Sequence, residues 1–187
     1  MRDKRTGRLV LMALFLTAAW AVGAMERLIS FDFAVPGVKL GLGNVVVLTA
    51  LYLFPFREVL GIALLKCVLV AMTFGSFPSL VYSVSGSLLS LLAMACLLRG
   101  LGKRLSPVGV SAAGAVFHNL GQLAAASVVM GTRYVWAYLP VLMVSGIITG
   151  VIVGIAVGFL LPRLAKIPLV RDNCPRLRHL LDDGNVV

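Results

Sequence analysis

The sequence predicts an all-α fold: a polytopic membrane protein built as a bundle of six transmembrane helices. Of its 187 residues, 60% are hydrophobic, and the mean hydropathy is +1.01. Only 13% are charged, against roughly a quarter in a soluble globular domain. Those charges fall in short clusters between long neutral runs, and each run is close to the roughly 20 residues that one bilayer crossing needs. A chain this apolar would not stay solvated as a disordered polymer. The net charge of +10, from 17 Lys and Arg against 7 Asp and Glu, points to anionic lipid and not to nucleic acid, because the basic clusters flank apolar runs.

The spans follow in order. Leu9 to Met25 and Leu40 to Phe56 carry no charge and make the first two helices. Val59 to Leu98 holds one charge, Lys66, and is twice too long for one helix, so it breaks at Gly75-Ser76-Phe77-Pro78-Ser79, where the turn chemistry is concentrated. Leu105 to Thr132 and Tyr134 to Pro162 are neutral runs separated by Gly131-Thr132-Arg133, and they make helices five and six. The chain thus divides into a basic N-terminus (1–8), a six-helix transmembrane domain (9–162) and a basic C-terminal tail (163–187). A cleaved leader ending at Val22-Gly23-Ala24 is the rival reading of the first span, but its apolar run is longer than a usual signal core.

Lysine and arginine are retained on the cytoplasmic side during insertion. Thirteen of them, from Arg2, Lys4, Arg5 and Arg8 through Arg57, Arg99, Lys103 and Arg104 to the tail, fall on one side, and only Arg27, Lys39 and Arg133 fall on the other. Both termini are therefore expected in the cytoplasm, with the chain in the cytoplasmic (inner) membrane. The three cysteines, Cys67, Cys96 and Cys174, form no C-x-x-C pair and read as free thiols.

Polar groups within the spans are the candidate functional residues, because an amide or imidazole in hydrocarbon is costly without a partner or a wet cavity. At 1.5 Å rise per residue, Asn44 lies about 9 Å below the outer face, and His118 and Gln122 lie about 16 and 22 Å above the inner one. Gly114, His118 and Gln122 recur every four residues on one face of helix five, with Asn119 beside them. With Asn44, Tyr82 and Ser83 they are placed to line an outward-opening pocket; the alternative is mutual bonding between helices. Lys66, about 12 Å from the inner face, reads as a counter-ion for an anionic ligand, or else as a snorkelling side chain or a partner of Glu26 or Glu58. Glu26, Arg27, Asp32 and Lys39, with Phe31, Phe33 and Pro36, read as an outer loop able to fold down as a lid.

Two small-residue strips mark helix contacts. Helix six has Gly146, Gly150, Gly154 and Gly158 at four-residue spacing, and helix one has Ala13, Thr17 and Ala21. Such strips let another helix approach closely, either inside the bundle or from a partner protein.

Catalytic chemistry is missing. There is no G-x-x-x-x-G-K-[ST] phosphate loop, so energy for transport would come from another subunit. The paired aspartate-rich stretches that would hold magnesium on a diphosphate are absent, since Asp182-Asp183 stands alone. Ser83 and Ser85 with His118 make only a weak case for an intramembrane hydrolase. Cys174 and His179 fall short of the four ligands of a closed zinc site. The reading is a non-enzyme without metal or cofactor.

Several stretches carry a family resemblance. They are Ala24-Met25-Glu26-Arg27-Leu28-Ile29, Val35-Pro36-Gly37-Val38-Lys39-Leu40-Gly41-Leu42-Gly43-Asn44-Val45-Val46, Phe74-Gly75-Ser76-Phe77, Tyr82-Ser83 with Gly86, His118-Asn119-Leu120-Gly121-Gln122, and Tyr138-Leu139-Pro140 with Gly146-Ile147-Ile148-Thr149-Gly150. Together they resemble the Gx transporter family, whose members are often labelled heptaprenyl diphosphate synthase component I. That family is in turn similar to the substrate-binding S-components of energy-coupling factor (ECF) transporters, six-helix proteins with a pocket near the outer face under the first loop. The resemblance implies that Lys39, Asn44, Tyr82, His118, Asn119 and Gln122 lie on the ligand side. It also implies that Ala13, Thr17 and Ala21 face a coupling membrane subunit that works with ATPases. The expected function is capture of a small polar or anionic metabolite, vitamin-like or a cofactor or isoprenoid precursor, for an ATP-driven partner. The alternative is a non-catalytic membrane accessory of heptaprenyl diphosphate or quinone biosynthesis.

Overall fold

The computed structural model describes residues 2–29, 43–74, 77–101 and 105–174, with side chains in the first stretch described from 5 to 26. Among them the chain is helical: α1 Arg2–Ile29, α2 Gly43–Leu53, α3 Phe56–Phe74, α4 Phe77–Gly100, α5 Pro107–Val129, α6 Leu139–Ala165 and α7 Pro168–Asn173, with a 3-10 turn at Tyr134–Tyr138 before α6.

Local chemistry sets the boundaries. Pro55 lacks an N–H and disfavours helical backbone at Phe54, so α2 stops at Leu53 and α3 starts afresh, Glu58 N donating to Pro55 O at 3.0 Å. Ser106 caps α5 by accepting from Gly109 N at 3.3 Å, and Pro107 occupies the first turn. After α5 the chain reverses at Gly131, whose φ of 63° suits a residue without Cβ, while Ser127 Oγ donates to Thr132 O at 2.9 Å.

Among the described residues four stretches are long and apolar enough to cross a membrane: Arg5–Glu26, Phe77–Gly100, Pro107–Val129 and Tyr134–Ala165. α3 has 19 residues, but Arg57, Glu58 and Lys66 interrupt its hydropathy. The span expected over Leu40 to Phe56 is an 11-residue helix, because Pro55 ends it early; residues 40–42 lie outside the described ones. At 1.5 Å per residue α2 is about 16 Å long, roughly half a hydrocarbon core of about 30 Å.

The contacts run antiparallel in sequence. Arg8 on α1 meets Glu58 at the start of α3, at 2.8 and 3.1 Å in a two-pronged ion pair. At the opposite end Gly43, opening α2, lies against Lys66 and Glu26. Gly114 of α5 meets Met94 of α4, and Gly150 and Gly154 of α6 meet Ala112 and Val108 of α5. Arg5, Arg8, Arg57, Arg99, Arg163, Lys166 and Arg171 thereby belong to one end of the bundle, and Arg133 to the other.

The core centres on α2. Every residue from Val47 to Leu53 is buried, and they pack with Val59, Ile62, Leu91, Met94, Val110, Val153, Val157 and Leu161. Phe15 and Phe54 meet edge to face at 5.5 Å. The tail beyond 163 does more than trail from the membrane: α7 folds back so that Val170 and Cys174 are buried in the core and Asn173 lies against Gly7. Cys67, Cys96 and Cys174 are free thiols.

Candidate functional site

The charged residue within α3 defines the first half of the site. Lys66 reaches toward the end where α1 finishes and α2 begins. Its Nζ lies 2.7 Å from the point a Cβ on Gly43 would occupy, and Glu26 Oε2 lies 3.9 Å from that point. Gly23 stands beside the same stem, its own Cβ position 3.8 Å from Lys66 Cε. Two glycines therefore make the slot through which the lysine passes. Glu26 belongs to α1 and is only 8% exposed; it is not a solvated loop residue, as the sequence reading had it. A pairing of Lys66 with Glu58 is excluded by direction, since Glu58 is held by Arg8 at the other end. Among the described residues no ion pair closes on Lys66. Lys39, Phe31, Phe33, Asp32 and Pro36, which the sequence reading assigned to a lid, lie outside the described residues.

Asn44, the next residue after Gly43, turns inward. It lines a cavity of about 10 Å³ together with Met94, Ser111, Gly114, Ala115, Thr149, Gly150 and Val153. That is the space of about one water molecule.

The other polar residues gather elsewhere. His118 and Gln122 face α4, with His118 Cε1 at 3.1 Å and Gln122 Cγ at 2.7 Å from the Cβ position of Gly86. Asn119, one residue on, faces α6: its Nδ2 donates to Leu142 O at 2.6 Å and packs on Gly146. Asn119 is thus satisfied as an interhelical bond. Tyr82 and Ser83 are half-buried on α4, and the Ser83 carbonyl accepts from Cys67 Sγ at 3.6 Å, with Cys67 also 3.3 Å from Ser87 Oγ. The geometry therefore joins Lys66 to Glu26 and Gly43, and Asn44 to α5 and α6. It sets His118 and Gln122 in a separate α4–α5 contact.

Sequence reasoning missed Ser111 and Thr149 as members of this region. Ser111 carried a usable signal, since it stands three residues before Gly114 on the same helical face. Thr149 stands next to Gly150 in the glycine strip. Glu26 stood in the sequence reading as one of two alternative partners of Lys66, and of the two it is Glu26, not Glu58, that lies at the Lys66 end.

The small-residue strips divide. A Cβ on Gly150 would stand 2.6 Å from Ala112 Cα, one on Gly146 would stand 2.5 Å from Asn119 Nδ2, and one on Gly154 would meet the Val108 backbone. These three glycines serve the α5–α6 contact within the bundle, the first of the two uses that their spacing allows. Gly158 has nothing within 4 Å. On α1, Ala13 and Thr17 are exposed and Ala21 is half-buried, and Thr17 Oγ1 donates to Ala13 O at 2.9 Å.

No match is found among curated proteins or among solved structures. The family comparison does match, over residues 15–160, which takes in the bundle from the middle of α1 almost to the end of α6 and includes Lys66, Gly43, Asn44 and the His118–Gln122 segment. The chain belongs to the heptaprenyl diphosphate synthase component I family.

Proposed function

We propose that the protein is the substrate-binding membrane component of a transporter, capturing a small polar or anionic metabolite at the Lys66 end of the bundle for an ATP-driven partner module. In this reading the chain crosses the cytoplasmic membrane six times with both termini in the cytoplasm, and the Lys66 end faces outward. The single observation that carries it is the Lys66 ammonium inside the helix bundle, threaded between Gly23 and Gly43 toward the buried Glu26 carboxylate. A lysine held among apolar helices is costly unless counter-charge or water reaches it. A carboxylate or phosphate on a ligand would supply that counter-charge, and Glu26 beside it would set how much negative charge the site accepts. Lys39 and the loop 30–42 would cover the ligand; Asn44, Tyr82, Ser83, His118, Asn119 and Gln122 would shape or support the pocket as it opens. Ala13, Thr17 and Ala21 on α1, with Gly158 on α6, would meet the coupling membrane subunit.

A second reading is favoured by the family's description: a non-catalytic membrane accessory of heptaprenyl diphosphate synthesis. Affinity purification from native membranes in mild detergent separates the two. The transporter reading expects an integral membrane subunit and ATPases to co-purify, and loses them on Ala13→Leu with Thr17→Leu. Recovery of a soluble prenyl diphosphate synthase subunit in their place would overturn it in favour of the accessory role.

A further inference from the structure

The cavity at Asn44 sits where α2, α4, α5 and α6 converge, and its chemistry does not suit an apolar void. Three of its lining residues offer polar side chains: the Asn44 amide, the Ser111 hydroxyl and the Thr149 hydroxyl. Thr149 Oγ1 donates to Gly146 O at 3.2 Å, which leaves its lone pairs to accept. Ser111 is 4% exposed and Ser90 is 2% exposed. The Ser90 hydroxyl has no hydrogen-bond partner among the described residues, and it lies 3.3 Å from the point a Cβ on Gly114 would occupy, where Met94 Sδ and Cγ stand nearer, at 2.7 and 2.8 Å.

Size and charge decide what such a cavity takes. Its volume of about 10 Å³ matches one water-sized occupant, and a water needs two to four polar partners, which this wall supplies. No carboxylate lines it, so a divalent cation would find none of the charged ligands it prefers. A monovalent cation would also face repulsion, because the Lys66 ammonium stands at Gly43, the residue before Asn44. An uncharged guest that both donates and accepts has neither difficulty.

We propose that this cavity is a built hydration site, in which one water molecule bridges the Asn44 amide to the hydroxyls of Ser111 and Thr149. The water ties the central helix α2 to α5 and α6 by hydrogen bonds that none of these side chains makes directly. The inference stands apart from the transport reading, since it requires no ligand and no partner.

X-ray hydroxyl-radical footprinting of the full chain in lipid nanodiscs tests it through Met94. That methionine lines the cavity and is 2% exposed, so radicals from bulk water do not reach it, whereas a bound water is itself split by the beam and oxidises the adjacent thioether. The expected result is Met94 sulfoxide in the wild type and a severalfold loss of it in Asn44→Leu. The exposed Met25, Met72 and Met130 provide the internal reference and react equally in both. Should Asn44→Leu fail to fold, Ser111→Ala removes one hydroxyl with little change in bulk and gives the same comparison with a smaller loss. A wild-type Met94 that stays unmodified overturns the proposal, as does one oxidised equally in wild type and variant. A melting temperature that rises in sodium chloride over choline chloride, and does so only while Asn44 is present, would put a monovalent cation in place of the water and overturn it too.

Discussion

Lys66 illustrates how one residue is positioned by residues that lack side chains. The ammonium stands at the bare Cα of Gly43, and the obstacle a Cβ would meet there is the flexible tip of the lysine. Gly43→Ala is therefore expected to fold with a melting temperature close to wild type but with Lys66 displaced, so that any ligand held by that ammonium is weakened without a loss of stability. Parallel thermal melts and ligand titrations check this; a collapse in stability would mean that Gly43 serves the fold alone. Cys174, at the basic end beyond α6, is the titrating group with a clear perturbation outside the spans. Burial pushes its thiol up from 9.0 to about 11, with Arg8 opposing and Glu58 reinforcing the shift. Between those values the unfolded chain has lost the proton and the folded chain keeps it, so the unfolded state is favoured progressively as pH rises. The loss is absent below pH 9, grows as pH rises from 9 to about 11, and is complete above that. Melting temperatures measured from pH 8 to 11 should fall more steeply in wild type than in Cys174→Ala, and equal slopes would contradict the assignment.

Among the helices, the α5–α6 contact rests on close backbone approach. A side chain on Gly150 would run into Ala112 Cα at 2.6 Å, backbone that cannot swing aside. Gly150→Val is expected to destabilise by about 1–3 kcal/mol, as overpacking commonly does. Gly158→Ala, with open space around it, is expected to melt like the wild type and to affect only what binds that face. Chemical denaturation in mixed micelles checks both, and equal losses at the two positions would mean that the strip has no preferred side. The breaks after helices three and five were readable in advance, because the Gly75–Ser79 segment and Gly131 carry local chemistry that acts whatever surrounds it, whereas the Pro55 stop and the Ser106 cap were not read. The facing of the helices was not readable. His118 and Asn119 are neighbours in sequence, yet one turns to α4 and the other to α6. A period of 3.6 residues separates their directions without saying which helix lies along each.

Across the whole molecule, hydropathy gave the class of fold and the alternation of basic ends, but it did not rank the helices. α2 is apolar like its neighbours and is nonetheless the buried centre, since membrane helices that face lipid and those that face protein draw on the same residues. Its end at Leu53 came from Pro55, and the return of α7 onto the core came from Val170 and Cys174 in a stretch that otherwise reads as basic tail. The candidate site was legible as a set of polar side chains and illegible as a shape: Lys66 joins Glu26 and Gly43, Asn44 joins Ser111 and Thr149, and Asn119 is spent on Leu142. The central claim is that Lys66 holds a small polar or anionic ligand at the Gly43 end of this bundle. Native mass spectrometry of gently extracted protein tests it most directly. The account predicts a small-molecule adduct on the wild type that is absent from Lys66→Met, a variant that keeps the length of the side chain and removes its charge. An identical adduct on both proteins, or none on either, would contradict it.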